Sequence, residues 1–174
     1  MALSMAALST FAQKKTTTSA TISFDATTPS DQMPKADNKT AIASLDIKKG
    51  TLAFEATIKN FSFGNPKMQE HFNSPNWLDS DKYPSATFKG KINNLSAINF
   101  KADGTYPAEV EGEMNLHGKA QQLKTTGSIV VKGKEITASA DFTIKLEDYG
   151  VNGPAIGAGK VSKDPKITVS AELK

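Results

Sequence analysis

A chain of 174 residues with 38% hydrophobic content has the length of one domain and enough apolar side chains for one sizeable core. It contains no cysteine, which excludes disulfides and thiolate-held metals. Its formal charge of +3, from 21 basic and 18 acidic residues, is spread along the chain and not clustered, which argues against a nucleic-acid partner.

Residues 1–12, MALSMAALSTFA, are small and apolar, carry no charge and end in Thr10-Phe11-Ala12, the pattern of a signal-peptide cleavage site. The run is too short to cross a bilayer, for which about 20 apolar residues are needed, and it lacks a basic leading region. It reads as a signal-peptide remnant, which implies a periplasmic or secreted protein; an unstructured tail is the alternative. Residues 13–18 read as a polar lead-in and residues 19–174 as the domain itself.

From Ser19 onward the dominant period is two. Ala20, Ile22 and Phe24 alternate with Thr21, Ser23 and Asp25, as in a half-buried first strand. Residues 26–40 contain Pro29, Pro34 and the pair Asp37-Asn38, and predict a long loop folded over one end of a β-structure. Ala41, Ala43, Leu45 and Ile47 give the inner face of a second strand, Lys48-Lys49-Gly50 a turn, and Leu52, Phe54, Ala56 and Ile58 the inner face of a third.

The rhythm then breaks between Met68 and Lys89. Met68, His71 and Phe72 stand at i, i+3 and i+4 and share one face of a helical turn. Pro75 and Asn76 begin a new turn at Trp77-Leu78, Asp79, Ser80 and Asp81 interrupt the apolar run, and Pro84 holds Tyr83 extended. Residues of about 66–82 therefore predict a short helical cap over the mouth of the β-structure. Strands resume with Ala86, Phe88, Gly90 and Ile92 facing inward, and Asp103-Gly104 predicts a hairpin turn. Tyr106, Ala108, Val110, Gly112, Met114 and Leu116 give the cleanest alternation in the chain. Leu123 to Val131, Ile136 to Leu146 and Ile167 to Leu173 follow with the same period, the first two separated by Gly133-Lys134. One buried face per strand is the habit of antiparallel sheets. Eight such faces are hidden together either by a sheet closed into a barrel or by a two-sheet sandwich, and periodicity leaves both open.

The inward positions are rich in small residues: Ala20, Ala41, Ala43, Ala56, Ala86, Gly90, Ala108, Gly112, Gly127, Ala138, Ala140 and Ala171. A barrel under-filled in this way has room for one apolar ligand; the same residues set opposite Phe24, Phe54, Phe88, Phe142 and Met114 make a solid core instead. An aliphatic and aromatic lining without inward charge suits a hydrocarbon tail. Its polar head is placed at the mouth, among His71, Asn73, Asn76, Asp79 and Tyr83. The candidate ligand-binding residues are Ile22, Phe24, Leu45, Phe54, Ile58, Phe88, Ile92, Ala108, Val110, Met114, Ala138, Ala140 and Phe142 from the strands, with Met68, His71, Phe72, Trp77, Leu78 and Tyr83 from the cap.

Signs of catalysis are weak. No G-x-S-x-G elbow is present, so no catalytic residue is assigned. His71 and His117 lie in different segments without an i, i+4 partner, and no metal ligand set is assigned. A hydrolase or metal-dependent enzyme built on these histidines, with Glu70 or Asp148, is one alternative; a structural envelope protein without a ligand is another. GPAIGAG, from Gly153 to Gly159, opens no predicted helix and reads as a flexible rim loop, not a nucleotide-binding one.

Three separated blocks carry a family resemblance: HFNSPNWLDSDKYPSATFKG at residues 71–90, EGEMNLHGKAQQL from Glu111 to Leu123, and ADFTIKLEDYGV from Ala140 to Val151. Together they resemble the YceI-like, polyisoprenoid-binding family. Phe72 and Asn76-Trp77 stand where many members have Leu and a Phe pair, and Lys145 stands near the family's usual Arg. The resemblance implies an all-β, eight-stranded antiparallel, lipocalin-like barrel with a helix near one mouth. It also implies a non-enzymatic protein whose ligand is an amphiphilic lipid: an isoprenoid such as a polyprenyl phosphate or quinone, or a fatty acid. The implied role is carriage or storage in the cell envelope, with a membrane surface as donor or acceptor and no cofactor beyond the lipid. Monomer and dimer are both left open.

Overall fold

The computed structural model describes residues 13–174, in which nine strands form one antiparallel sheet. The expected signal-peptide remnant, residues 1–12, lies outside the described residues. In chain order the elements are β1 (Lys14–Asp25), β2 (Lys35–Asp46), β3 (Thr51–Thr57), β4 (Ser62–Phe63), α1 (Pro66–Asn73), β5 (Ser85–Ile92), β6 (Gly104–Leu116), β7 (Lys119–Lys132), β8 (Glu135–Thr143), α2 (Pro154–Gly157) and β9 (Lys166–Leu173). Neighbours run β1-β9-β8-β7-β6-β5-β3-β2, and β1 also pairs with β2, so eight long strands close on themselves. The barrel, not the sandwich, is how the alternating faces are buried. β4 is only two residues long and pairs with the start of β2.

The connections are unequal at the two ends. At one end β2 and β3, and β7 and β8, are joined by tight turns around Gly50 and Gly133, both at positive φ. At the other end lie the β1–β2 connection, the segment from Ile58 to Pro84 that carries β4 and α1, the His117-Gly118 turn, and the β8–β9 connection that carries α2. All the long loops but one therefore stand over a single mouth. The exception joins β5 to β6 through a 3-10 turn at Leu95–Ala97, whose neighbour Ile98 is buried at the opposite end.

Several boundaries differ from the sequence expectation, each for a reason that pairing makes visible. The polar lead-in is the first half of β1: Lys14 to Thr17 pair with Asp46 to Ala43. The register then shifts between Thr17 and Ala20 and again between Ala20 and Ile22, resetting which side chains face inward, so alternation is not visible across the break. The predicted 26–40 loop is short, because β2 starts at Lys35. Asn38, fully buried on that strand, explains the polar sequence there. Its amide donates to the Thr57 carbonyl at 3.0 Å, and its Oδ1 accepts from the Thr40 backbone N–H and hydroxyl at 2.9 Å each. A buried polar group with its hydrogen bonds made is compatible with a strand that sequence reads as a loop.

Asp103-Gly104 is not a two-residue hairpin turn. Gly104 opens β6, and the Asp103 carboxylate accepts the Gly133 N–H at 2.8 Å, tying the β5–β6 loop to the neighbouring β7–β8 turn. The glycine-rich rim segment does open a helix, the single turn α2, begun by Pro154 in the first helical position. The predicted cap is helical only over α1. Asn65 caps it by accepting the Lys67 N–H at 2.9 Å, Pro66 occupies its first turn, and the residues beyond it form hydrogen-bonded turns. Leu78 N–H returns to the Phe72 carbonyl at 3.2 Å, and Asp79 N–H to the Ser74 carbonyl at 2.9 Å.

Candidate functional site

Phe72 anchors the cap. It is buried beneath α1, with ring centroids 5.5 Å from Phe24 on β1, 5.7 Å from Phe61 and 4.8 Å from Phe63 on β4. Tilted and edge-on aromatic contacts of this kind fix an orientation as well as burying area. Leu78 is buried beside it, and Trp77 is half-buried with its ring against Gly153 of the β8–β9 connection, where a Cβ would overlap the indole.

Beneath this lid lies a cavity of about 140 Å³. Its wall is contributed by the strands around the barrel, its roof by Phe61, Phe72, Trp77 and Leu78. No charged side chain lines it, and its polar residues are limited to Thr87, Thr125, Ser128 and Ser139. The cross-strand row Ala108, Gly127 and Ala140 makes a smooth section of wall, three neighbouring strands presenting at most a methyl group each. Ala56, Ala86 and Ala138 line the cavity as well, but not every small inward residue creates space. Gly90 and Gly112 are opposed across β5 and β6, and the Phe88 ring lies where their side chains would be, within 2.7 Å of a Cβ built at either. Ala20, Ala41, Ala43 and Ala171 are fully buried away from the cavity. The interior is thus divided: filled around Leu45, Val131, Ile136 and Leu173, hollow from Leu52 and Ile92 up to the cap.

A second, outer groove of about 280 Å³ lies between α1 and the β8–β9 connection. It is lined by Pro34, Phe63, Met68, His71, Ser74, Asn76, Gly153, Pro154, Ala155 and Val161, and it shares Phe24, Phe72 and Trp77 with the inner cavity.

Of the sequence-derived candidates, Ile22, Phe24, Phe54, Ile58, Phe72, Trp77, Leu78, Phe88, Ile92, Ala108, Val110, Met114, Ala138, Ala140 and Phe142 line the inner cavity. Met68 and His71 line the outer groove instead. Leu45 lines neither: it is fully buried on β2, although its register partner Leu52 on β3 reaches the inner cavity. Tyr83 also lines neither, because its ring packs edge-on against His117 at 4.7 Å. The expected head-group cluster is therefore split. His71 and Asn76 reach the groove, Asn73 donates to the Gln69 carbonyl at 2.7 Å within its own helix, and Asp79 sits in a tight turn at positive φ. Phe61 lines the cavity from a segment that no period of two marks; Ile144 and Leu146, which continue the alternation of β8 past its end at Thr143, line it too, as do Leu123, Ile167 and Val169 from strands whose faces were legible.

The two histidines meet different surroundings. His71 is exposed at the groove, whereas His117 Nδ1 lies 3.0 Å from the Tyr149 carbonyl, which fixes Nδ1 as the protonated nitrogen since a carbonyl only accepts. Tyr149 is itself buried, which pushes its phenol above the usual range, with the Asp148 charge adding to the effect. Among the described residues no three His, Asp or Glu side chains are grouped to hold a metal ion.

Comparison with known proteins follows this geometry closely. The family model of the YceI-like domain matches residues 4–173. The chain belongs to the YceI-like domain family. The YceI-like barrel superposes on a polyisoprenoid-binding domain from Saccharophagus degradans implicated in plant cell wall breakdown, with a TM-score of 0.78 over 93% of this chain and 98% of that one, at 10% identity. It superposes on Burkholderia cenocepacia BcnA with a TM-score of 0.73 over 89% and 96% of the two chains, at 18% identity. A Campylobacter jejuni YCEI protein follows at 0.55, 20% identical over 78% of this chain and 81% of that one. At these identities the shared property is the barrel. A search of functionally curated proteins gives no match.

Proposed function

We propose that this YceI-like protein binds the hydrocarbon tail of an isoprenoid-class lipid inside its barrel and carries or stores it in the cell envelope, without chemistry of its own. The observation that carries the reading is the uncharged cavity beneath Phe72 and Trp77. Left empty, 140 Å³ costs the fold about 3 kcal/mol at ~24 cal/mol per Å³. A folded domain with ~5–15 kcal/mol of net stability tolerates that, yet an apolar guest recovers it. The wall offers such a guest ~25 cal/mol per Å² of surface removed from water and almost nothing to hydrogen-bond, which favours a hydrocarbon over a polar metabolite. The polyisoprenoid-binding domain of Saccharophagus degradans, built on the same barrel, supports the isoprenoid class. The periplasmic or secreted location, and a membrane surface as donor or acceptor, rest on residues 1–12 and on the amphiphilic character of such a lipid.

The test is mass spectrometry of an organic extract of protein purified without detergent. An isoprenoid in stoichiometric amount is expected. An extract without any long-chain amphiphile, from protein that also fails to bind added isoprenoid alcohols, overturns the proposal.

A further inference from the structure

We infer that the outer groove is the second half of the ligand site, and that an isoprenoid chain of about three units runs from the inner cavity, past a displaced Trp77, into the groove between α1 and α2. This rests on the lipid-binding reading and adds the path and the length of the chain. The inner cavity, at about 140 Å³, matches the ~150 Å³ apolar cavity that accepts one benzene ring, so it takes roughly one five-carbon isoprene unit. A longer tail cannot stay inside. The groove, at about 280 Å³, has room for roughly two units more by the same measure. The two spaces share the walls made by Phe24, Phe72 and Trp77, which line both.

The three rings of this partition are not held alike. Phe24 and Phe72 are buried, pack edge-on against one another, and Phe72 is further wedged between Phe61 and Phe63. Trp77 is half-exposed, and its ring rests on Gly153, a position where any side chain would push it away. It is the member of the partition that can move without breaking an aromatic cluster. The groove's lining is mixed: Phe63, Met68 and Val161 are apolar, while His71, Ser74 and Asn76 supply hydrogen-bonding groups for a polar terminus.

Trp77, the only tryptophan, reports on the passage directly. The full chain, stripped of lipid, is titrated with geraniol, farnesol and geranylgeraniol, alcohols of two, three and four isoprene units, and Trp77 emission is followed. Affinity is expected to rise roughly tenfold or more from two units to three, as further apolar surface is buried, and then to level off at four. In Ala155→Phe, and separately in Val161→Glu, the groove is obstructed, and farnesol is expected to bind no tighter than geraniol. An equal gain from two to three units in wild type and in both folded variants overturns the two-compartment path, as does a gain that continues undiminished to four units. Either result leaves the lipid reading standing. If none of the alcohols binds, the lipid reading falls and this inference falls with it. Circular dichroism identifies a variant that fails to fold, and the wild-type length series decides the chain length without either variant.

Discussion

Phe88 folds its ring over Gly90 and Gly112, while nothing comparable covers Ala108, Gly127 and Ala140. The same kind of residue, small and inward, thus seats a ring at one height of the barrel and leaves a hole at another. Substitutions at the two heights should behave oppositely. Gly112→Ala places a Cβ about 2.5 Å from the Gly90 Cα and on the Lys89 carbonyl, both backbone atoms that cannot step aside. It is expected to lower unfolding stability by about 1–3 kcal/mol in urea titration, the cost of over-packing. Ala140→Phe points a ring into space that already exists. It is expected to keep the urea midpoint near wild type while abolishing isoprenoid binding; unchanged binding would show that the guest lies elsewhere. The sequence displays all these small residues alike, because what separates them is which ring lies across the strand.

Elements built on a period of two were legible, and those set by hydrogen bonds to distant backbone were not. The inner faces of β3, β5, β6 and β7 follow directly from alternation, whereas the register shift within β1 and the buried Asn38 on β2 depend on strands closing the barrel. Turns are the intermediate case. Lys48-Lys49-Gly50 is readable as a turn, but its anchor, Asp46, emerges only from the structure: its Oδ1 accepts the Lys48 and Lys49 N–H groups at 3.0 and 2.9 Å. Those amides, led by that of Lys49, hold the Asp46 carboxyl below its usual value of 3.8. A carboxyl whose pKa is lower in the folded than in the unfolded chain contributes stability that is whole above the unfolded value and is lost as pH falls through the folded one. Asp46→Ala is therefore expected to lower the melting temperature at neutral pH, and the gap from wild type should shrink as pH is taken well below about 4. A gap independent of pH would mean that the turn is held by Gly50 and the strands alone.

Across the whole molecule, the distribution of loops decides where a guest can enter. One end is shut by tight turns and by Leu45, Val131, Ile136 and Leu173, all buried; the other carries α1, α2 and both cavities. Alternation alone allowed a sandwich, and composition alone allowed a solid barrel; only closure of β1 on β2, with the cap roofing the hollow half, settles how the space is divided. A protein arranged this way is coupled to its ligand through stability. A guest that binds only the folded barrel stabilises it by RT ln(1 + [L]/Kd), about 2.7 kcal/mol at a hundredfold excess over Kd. For a domain of this length, each kcal/mol moves the melting temperature by roughly 2–4 °C. Calorimetry of stripped protein against protein reloaded with farnesol is thus expected to show an upward shift of roughly 5–11 °C at that excess. Trp77→Ala, which opens the partition and removes part of the roof, should lower the melting temperature of the stripped protein and shorten the residence time of the bound alcohol. A reloaded protein that melts at the stripped temperature would mean that farnesol does not bind the folded barrel in preference to the unfolded chain.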